Sequence, residues 1–434
     1  MRADSDTSAA GTAARRAGQG LLIFGAIILA ANMRAAITSL PPVFPELQHA
    51  LHLSAGEIAV LAAIPVLCFG LFSGVAAPLS RKFGEERVLG AALVVLAAGL
   101  VARGVAPGAG LFAGTIVAGA AIALLNVLLP SLVKRRVPER AGLLIGLYLG
   151  ALSTGAIIAS LIAVPVFDAA SPGGQPGGGS AAVRLTLSIW ALPALAAAVA
   201  WAPQLRFRTQ PGPAPGAGQG GGTRPGGQAG EQPRAGLRRH ALTWQVTTFM
   251  GLQSLSYYAA LSWFPTLFRD RGASAVHAGT LLAVMGLGNA VTSLGVPWLA
   301  HKLPDQRLVA LAAMMATGAG LAGAAWGPLG AAMPLVFLLG LGQGATLGLA
   351  IFYTMARAPD PVTAASLSAF AQSIGYLLAS AGPLLLGFLH TATGGWAIPV
   401  WALLAVAALQ LLTGWLAGRD MTVPAGTAAP AAPA

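Results

Sequence analysis

One arginine stands inside a long apolar run: Arg34, in LLIFGAIILAANMRAAITSLPPVFPEL (21–47). A charge at the centre of such a segment costs roughly 2.5–3.5 kcal/mol on insertion scales, and charges of this kind face a bundle interior or a wet cavity. Its guanidinium carries five donors and a permanent charge, suited to an anion or an electron-rich polar solute. The structural alternative is an arginine that binds helix-end carbonyls. On a helix Thr38 shares the Arg34 face, whereas Asn32 points nearly opposite and reads as a packing hydrogen bond.

Other polar residues fall at helical spacing inside apolar runs. Thr115, Gly119, Ile122 and Asn126 share one face; so do Gln343, Thr346, Ala350 and Tyr353; Gln253 and Tyr257 are one turn apart, with Ser254, Ser256 and Tyr258 beside them. For each, an ordinary interhelical hydrogen bond competes with solute contact. Tyr148, Gln372 and Tyr376 are weaker candidates. Glu46 and Glu57 are the acids nearest the apolar cores and the candidate proton sites, although Ser54 three residues before Glu57 forms a capping box with it. All six histidines lie at segment ends or in loops, and Cys68 is the sole cysteine, so no intramembrane metal site, disulfide or Ser/His hydrolase has its parts. No phosphate-binding G-x-x-x-x-G-K-[ST] loop occurs. Neither an enzyme nor a cofactor is expected.

The elements that position these residues follow from composition. The 434 residues are 56% hydrophobic and 9% charged, with mean hydropathy +0.73; a soluble domain carries about 25% charged residues. Apolar runs of about twenty residues, each sufficient to cross the hydrocarbon core, are read at 21–47, 54–79, 87–104, 110–133, 142–167, 183–203, 241–268, 275–300, 308–326, 329–356, 364–389 and 396–417. The fold class is therefore an all-α membrane protein of twelve transmembrane helices. The first run resembles a signal peptide, but it continues to Pro45 and is expected to be retained.

The chain divides into a disordered cytoplasmic tail (1–20), a six-helix bundle (21–203), a Gly/Pro-rich linker (204–240), a second six-helix bundle (241–417) and a disordered tail (418–434). A second Gly/Pro insert occupies 171–179. The net charge of +12 raises the question of nucleic acid. Placement answers it: twenty of the 25 Lys and Arg lie in the terminal tails, the even-numbered loops and the linker, and only Arg103, Arg184, Arg269 and Arg271 lie in odd-numbered loops. The positive-inside rule then puts both termini in the cytoplasm. The partners expected are a solute and the lipid bilayer, not nucleic acid, and the chain is expected to be a monomer.

The halves repeat. At an offset of 220 or 221, Phe44-Pro45-Glu46-Leu47 matches Phe264-Pro265-Thr266-Leu267, Lys82, Glu85 and Arg87 match Lys302, Asp305 and Arg307, and Arg136-Val137-Pro138-Glu139 matches Arg357-Ala358-Pro359-Asp360. Six helices per copy put both copies in one orientation, related by a pseudo-twofold axis along the membrane normal.

These residues resemble the major facilitator superfamily and, within it, the cyanate and nitroimidazole transporter family. The stretches that carry the likeness are Asn32–Ser39, PVLCFGLFS (65–73), NVLLPSLVKRRVPERAGLLIGLY (126–148), 244–272 and 356–383. The resemblance implies alternating-access transport of a small anion or compact polar solute across the inner membrane, with substrate contacts at Arg34, Thr38, Asn126, Gln253, Tyr257, Gln343, Thr346 and Tyr353. Efflux of larger drugs and a non-transporting membrane receptor are the alternatives. It also implies a cytoplasmic gate at Arg81, Lys82, Gly84, Glu85, Arg87, Arg136 and Arg357. The superfamily's gate motif reads like G-x-x-x-D-R-x-G-R-R, but Arg81 stands where the acid belongs, so Glu85 and Glu86 are expected to take over its pairing, as exposed ion pairs worth little.

Overall fold

The computed structural model describes residues 20, 23–106, 108–137, 141–171, 180–206 and 237–423. The N-terminal tail, the inserts at 172–179 and 207–236 and the end of the chain from 424 lie outside the described residues. Every long element is a helix: α1 (23–38), α2 (Phe44–Leu51), α3 (Ala55–Phe72), α4 (Ala76–Phe83), α5 (Glu85–Val105), α6 (Ala109–Arg136), α7 (Ala141–Ala169), α8 (Ser180–Ser188), α9 (Ala191–Trp201), α10 (Ala241–Asp270), α11 (Ala275–His301), α12 (Arg307–Trp326), α13 (Ala332–Ala356), α14 (Pro361–Thr393) and α15 (Ala397–Ala417). Among the described residues, eleven continuous or broken segments are long and apolar enough to cross a membrane. The twelfth, α10, has the length but carries Thr243, Gln245, Thr247, Gln253, Ser254 and Ser256 among its apolar residues.

Three of the spans are broken where the sequence suggested continuous helices, and proline chemistry explains each break. The first span stops at Thr38 because Pro41 and Pro42 have no N–H to continue the ladder; a 3₁₀ turn at Pro41–Val43 then leads into α2. The second passes through a 3₁₀ turn at Ser73–Val75 ahead of Pro78. In the sixth, Pro193 cannot donate to Ile189, whose carbonyl accepts from Leu192 instead at 3.0 Å, and α8 gives way to α9.

Contacts divide the chain into two compact units. The first comprises Met1–Pro211 with Phe264–Ala283, so the last turns of α10 and the start of α11 belong to it; the second comprises Gly212–Trp263 with Val284–Ala434. In the first unit α5 packs along α6, α8 and α9, and α3 packs on α6; in the second α12 packs along α13 and α15.

The internal repeat reaches into these contacts. A Cβ on Gly119 would come 3.1 Å from Cys68 Sγ and 3.3 Å from Pro65 Cα, and one on Gly340 would come 2.1 Å from Met285 O and 3.1 Å from Asn289 N. Met285 and Gly340 are the repeat partners of Pro65 and Gly119. Backbones approach there because nothing larger than hydrogen stands between them. Gly119 is accordingly packed against α3, and Thr115 and Ile122 on the same face are buried.

Candidate functional site

In the first unit Arg34 is half-buried on α1. Thr38 is 1% exposed, and its hydroxyl lies 3.0 Å from Arg34 O and 3.2 Å from Ala156 O of α7. It ties two helices together, so its proton is engaged by backbone. α1 and α7 meet closely here: a Cβ on Gly155 would stand 1.9 Å from Ala31 O. Asn126 is half-buried on α6, and its Oδ1 accepts from the Tyr148 hydroxyl at 3.1 Å. That bond joins a leading and a weaker candidate, and Tyr148 also lines an apolar cleft with Ile23, Ala26, Ile27, Val133, Leu144 and Leu147. Asn32 is a correction: it is 2% exposed, yet neither side-chain atom has a hydrogen-bond partner among the described residues.

The two candidate proton sites have other work. Glu57 completes the capping box of α3, its Oε2 accepting from Ser54 N at 2.7 Å and Ser54 Oγ at 2.8 Å while Glu57 N donates to Ser54 Oγ. Glu46 on α2 pairs with Arg269 in the last turn of α10 at 2.5 Å.

The second unit buries its candidates. Gln253 is 2% exposed and its Oε1 accepts from Ser254; Tyr257 and Tyr258 meet edge to face at 5.2 Å. Gln343 directs Nε2 toward Ser256 O at 3.5 Å, and its own carbonyl accepts from Thr346 at 2.9 Å. Tyr353 does not join this set. Its hydroxyl donates to Gly414 O at 3.4 Å, and its ring lies in the core with Phe249, Leu349, Leu237, Ala417 and Val423. The helical face drawn from Gln343 to Tyr353 runs along more than two turns, long enough to leave one environment and enter another.

Of the residues assigned to a gate, Glu85 and Arg136 fall in one polar cluster and Arg357 in another. In the first unit Glu85 and Glu86 are fully buried rather than exposed; Glu85 pairs with Arg135 at 2.9 Å and Glu86 with Arg136, while Trp201 Nε1 donates to Glu86 O at 3.0 Å. Gly84 closes α4 and opens α5 at φ +89°, ψ +146°, a conformation almost confined to glycine. Arg81, Lys82 and Arg87 are exposed, with the Lys82 ammonium 5.2 Å from the Phe83 ring. In the second unit Arg357, 3% exposed, donates through Nε to Ala417 O at 2.8 Å and through Nη2 to Gly418 O at 3.2 Å and to Gln306 Oε1. Burial lowers its pKa, opposed by Tyr353, Asp420 and Asp305, but an arginine remains protonated throughout. Residues 418–423, which the sequence assigned to a tail, follow this cluster inward: Val423 is 1% exposed and its N–H donates to Arg357 O.

Sequence reasoning missed Gln306 and Trp201 and misplaced Arg103. Gln306 was legible as the repeat partner of Glu86. Arg103 was read in a loop, but it lies within α5 and is 2% exposed. Among the described residues no cluster of His, Cys, Asp and Glu has metal-site geometry.

The Major Facilitator Superfamily matches residues 22–383. The chain belongs to that superfamily. Within it, the chain is 34% identical to the 2-nitroimidazole transporter of Escherichia coli (strain K12), over 93% of this chain and 96% of that one. It is 28% identical to the cyanate transport protein CynX of the same organism, over 89% and 94%. A solved D-xylose–proton symporter shares the fold at TM-score 0.72 with 14% identity, covering 94% of this chain and 99% of that one. The chain is thus a multi-pass transporter of the major facilitator fold, with twelve membrane spans.

Proposed function

We propose that this superfamily member carries a small anion or a compact, flat polar solute, of the class represented by cyanate and 2-nitroimidazole, by alternating access with both termini in the cytoplasm. The observation that supports the solute class is Arg34, a permanent cation half-buried in an otherwise apolar helix, in a chain 34% identical to a nitroimidazole transporter. A guanidinium serves a linear anion through charge and a nitro group or ring nitrogen through its planar donors. Asn126, Gln253, Tyr257, Gln343 and Thr346 are proposed to supply neutral polar contacts, and Tyr257 an aromatic face; Arg34 and Thr38 act as one segment, with Thr38 fixing α1 to α7. The clusters around Glu86 and Arg357 are proposed to serve as the cytoplasmic gate.

Transport is proposed to proceed by facilitated diffusion or exchange, or by proton coupling through Glu46. A midplane carboxylate relay needs an acid that the described spans do not place there, and the Glu57 carboxylate is engaged as a helix cap. Counterflow in proteoliposomes with radiolabelled cyanate and 2-nitroimidazole tests the solute class. Both are expected to exchange, and Arg34→Lys is expected to lose most of that exchange because it keeps charge without the planar fork. Exchange of neither probe, or full activity in Arg34→Gln, sinks the reading. Uphill uptake driven by a proton gradient alone in the Glu46→Gln, Glu57→Gln double variant rules out coupling through these acids. Reporter fusions at Ala10 and after Ala417 check the placement of the termini.

A further inference from the structure

Arg103 is the most deeply buried arginine described, and its surroundings are unlike those of the gate arginines. Among the described residues it carries no ion pair, and Nε and Nη2 meet no acceptor. The single bond it makes runs from Nη1 to Ala36 O at 3.1 Å, from α5 to the last turn of α1. That carbonyl is open because of the proline break. Ser39 N donates to Ala35 O and Leu40 N to Ile37 O, so the amide that would reach Ala36 O in a continuing helix is used elsewhere. A cation at this point also faces the negative end of the α1 dipole.

The neighbouring backbone is shaped to admit the side chain. A Cβ on Gly114 of α6 would fall 2.5 Å from Gly99 O, 2.7 Å from Arg103 N and 2.9 Å from Arg103 Cγ, so α5 and α6 meet backbone to backbone where the Arg103 side chain leaves α5. Ala36 lies two residues from Arg34 and two from Thr38. Whatever holds that carbonyl therefore holds the segment that bears both.

We propose that Arg103 is a positioning residue for the solute site: it clasps the broken end of α1 at Ala36 and so sets where Arg34 stands. This rests on the reading of Arg34 as a solute contact. With the clasp removed, α1 is left with the Thr38 tether to Ala156 and a free end leading into the 3₁₀ turn. A displacement of about 1 Å at a binding group is enough to cost one to two orders of magnitude in turnover or affinity.

Counterflow of cyanate and 2-nitroimidazole in wild type, Arg103→Lys, Arg103→Met, Arg34→Gln and the Arg34→Gln, Arg103→Met double variant tests this. Arg103→Met is expected to raise the half-saturation concentration about tenfold or more with a smaller change in maximal rate, whereas Arg103→Lys, which keeps the charge and a donor, stays within about threefold. In the Arg34→Gln background the Met substitution is expected to add little. Effects that multiply independently, or a Lys variant as impaired as Met, overturn the proposal. If Arg103→Met fails to fold, Arg103→Gln, a shorter and neutral side chain, takes its place, and wild-type affinity in it overturns the proposal. If wild type exchanges neither probe, the solute reading fails by itself. The clasp is then read from amide hydrogen exchange across 35–43: faster in Arg103→Met than in wild type and Arg103→Lys supports it, and equal rates refute it.

Discussion

The two copies of the repeat solve one problem with different chemistry at the end where the basic residues gather. Glu86 and Gln306 occupy equivalent positions, as do Arg136 and Arg357, and each arginine bonds to its partner. In the first copy that partner is a carboxylate, with a second ion pair beside it from Glu85 to Arg135. In the second it is an amide, and backbone carbonyls of Ala417 and Gly418 complete the set. The turn before each differs too: Gly84 at φ +89° in the first, Pro304 in the second. Register is thus shared while the electrostatics are not. An ion pair that must separate and re-form suits a moving contact, whereas an arginine locked to main-chain carbonyls suits a fixed one.

The largest effect is expected from Arg136→Met, which removes the cation paired with the buried Glu86 carboxylate. The loss should be about 3 kcal/mol, the low end for a broken buried pair because Arg136 is 28% exposed, read as denaturation of the purified protein in detergent. A change below about 1 kcal/mol would erase the distinction between the copies. Next comes Gly84→Ala, where a side chain is forced into a backbone region reserved for glycine. It should cost about 2 kcal/mol, and the same measurement with Pro304→Ala should show much less.

Making the second cluster resemble the first sharpens the comparison further. Gln306→Glu brings a carboxylate to Arg357 but abolishes the Nε2 donations to Leu303 O at 2.5 Å and Ala300 O at 3.2 Å, which cap the end of α11. The expected outcome is a net loss of about 1–2 kcal/mol despite the new charge pair. A gain in stability would show that the amide is dispensable. The smallest stability effect belongs to the Pro41→Leu, Pro42→Ser variant, which installs the residues found at the equivalent 261 and 262. It restores two amides while loosening the unfolded chain, so the two contributions should cancel to within about 1 kcal/mol. Transport should nevertheless fall, because a continuous α1 no longer ends at Arg103. Unchanged transport would make the break incidental.

Glu57 shows how legible local structure was: a Ser-x-x-Glu pattern read from the sequence is a complete capping box in the structure. Local bonds between residues three apart need no knowledge of the rest of the chain. Glu85 and Glu86 show the opposite. That they take over a pairing role was anticipated, but neither their partners at the end of α6 nor their burial was, since both depend on helices far apart in the chain, with Trp201 of α9 arriving over the same turn. The site residues divide similarly. Arg34 stood out by type and place alone, whereas the burial of Thr115, Gly119 and Tyr353 was not legible, because periodicity identifies a face without identifying what the face meets.

By itself the sequence determined the solvent of this protein, the number of its spans and the existence of two copies, because apolar run length, charge placement and a constant offset are properties of a linear chain. Tertiary structure alone decided which polar groups are engaged. Ala36 O is open because Leu40 N turns to Ile37 O, and it is filled by Arg103 from α5, which packs backbone to backbone on α6 at Gly114. The Arg103 bond joins residues 67 positions apart, and its partner is fixed by helix packing in three dimensions, to which no local pattern has access.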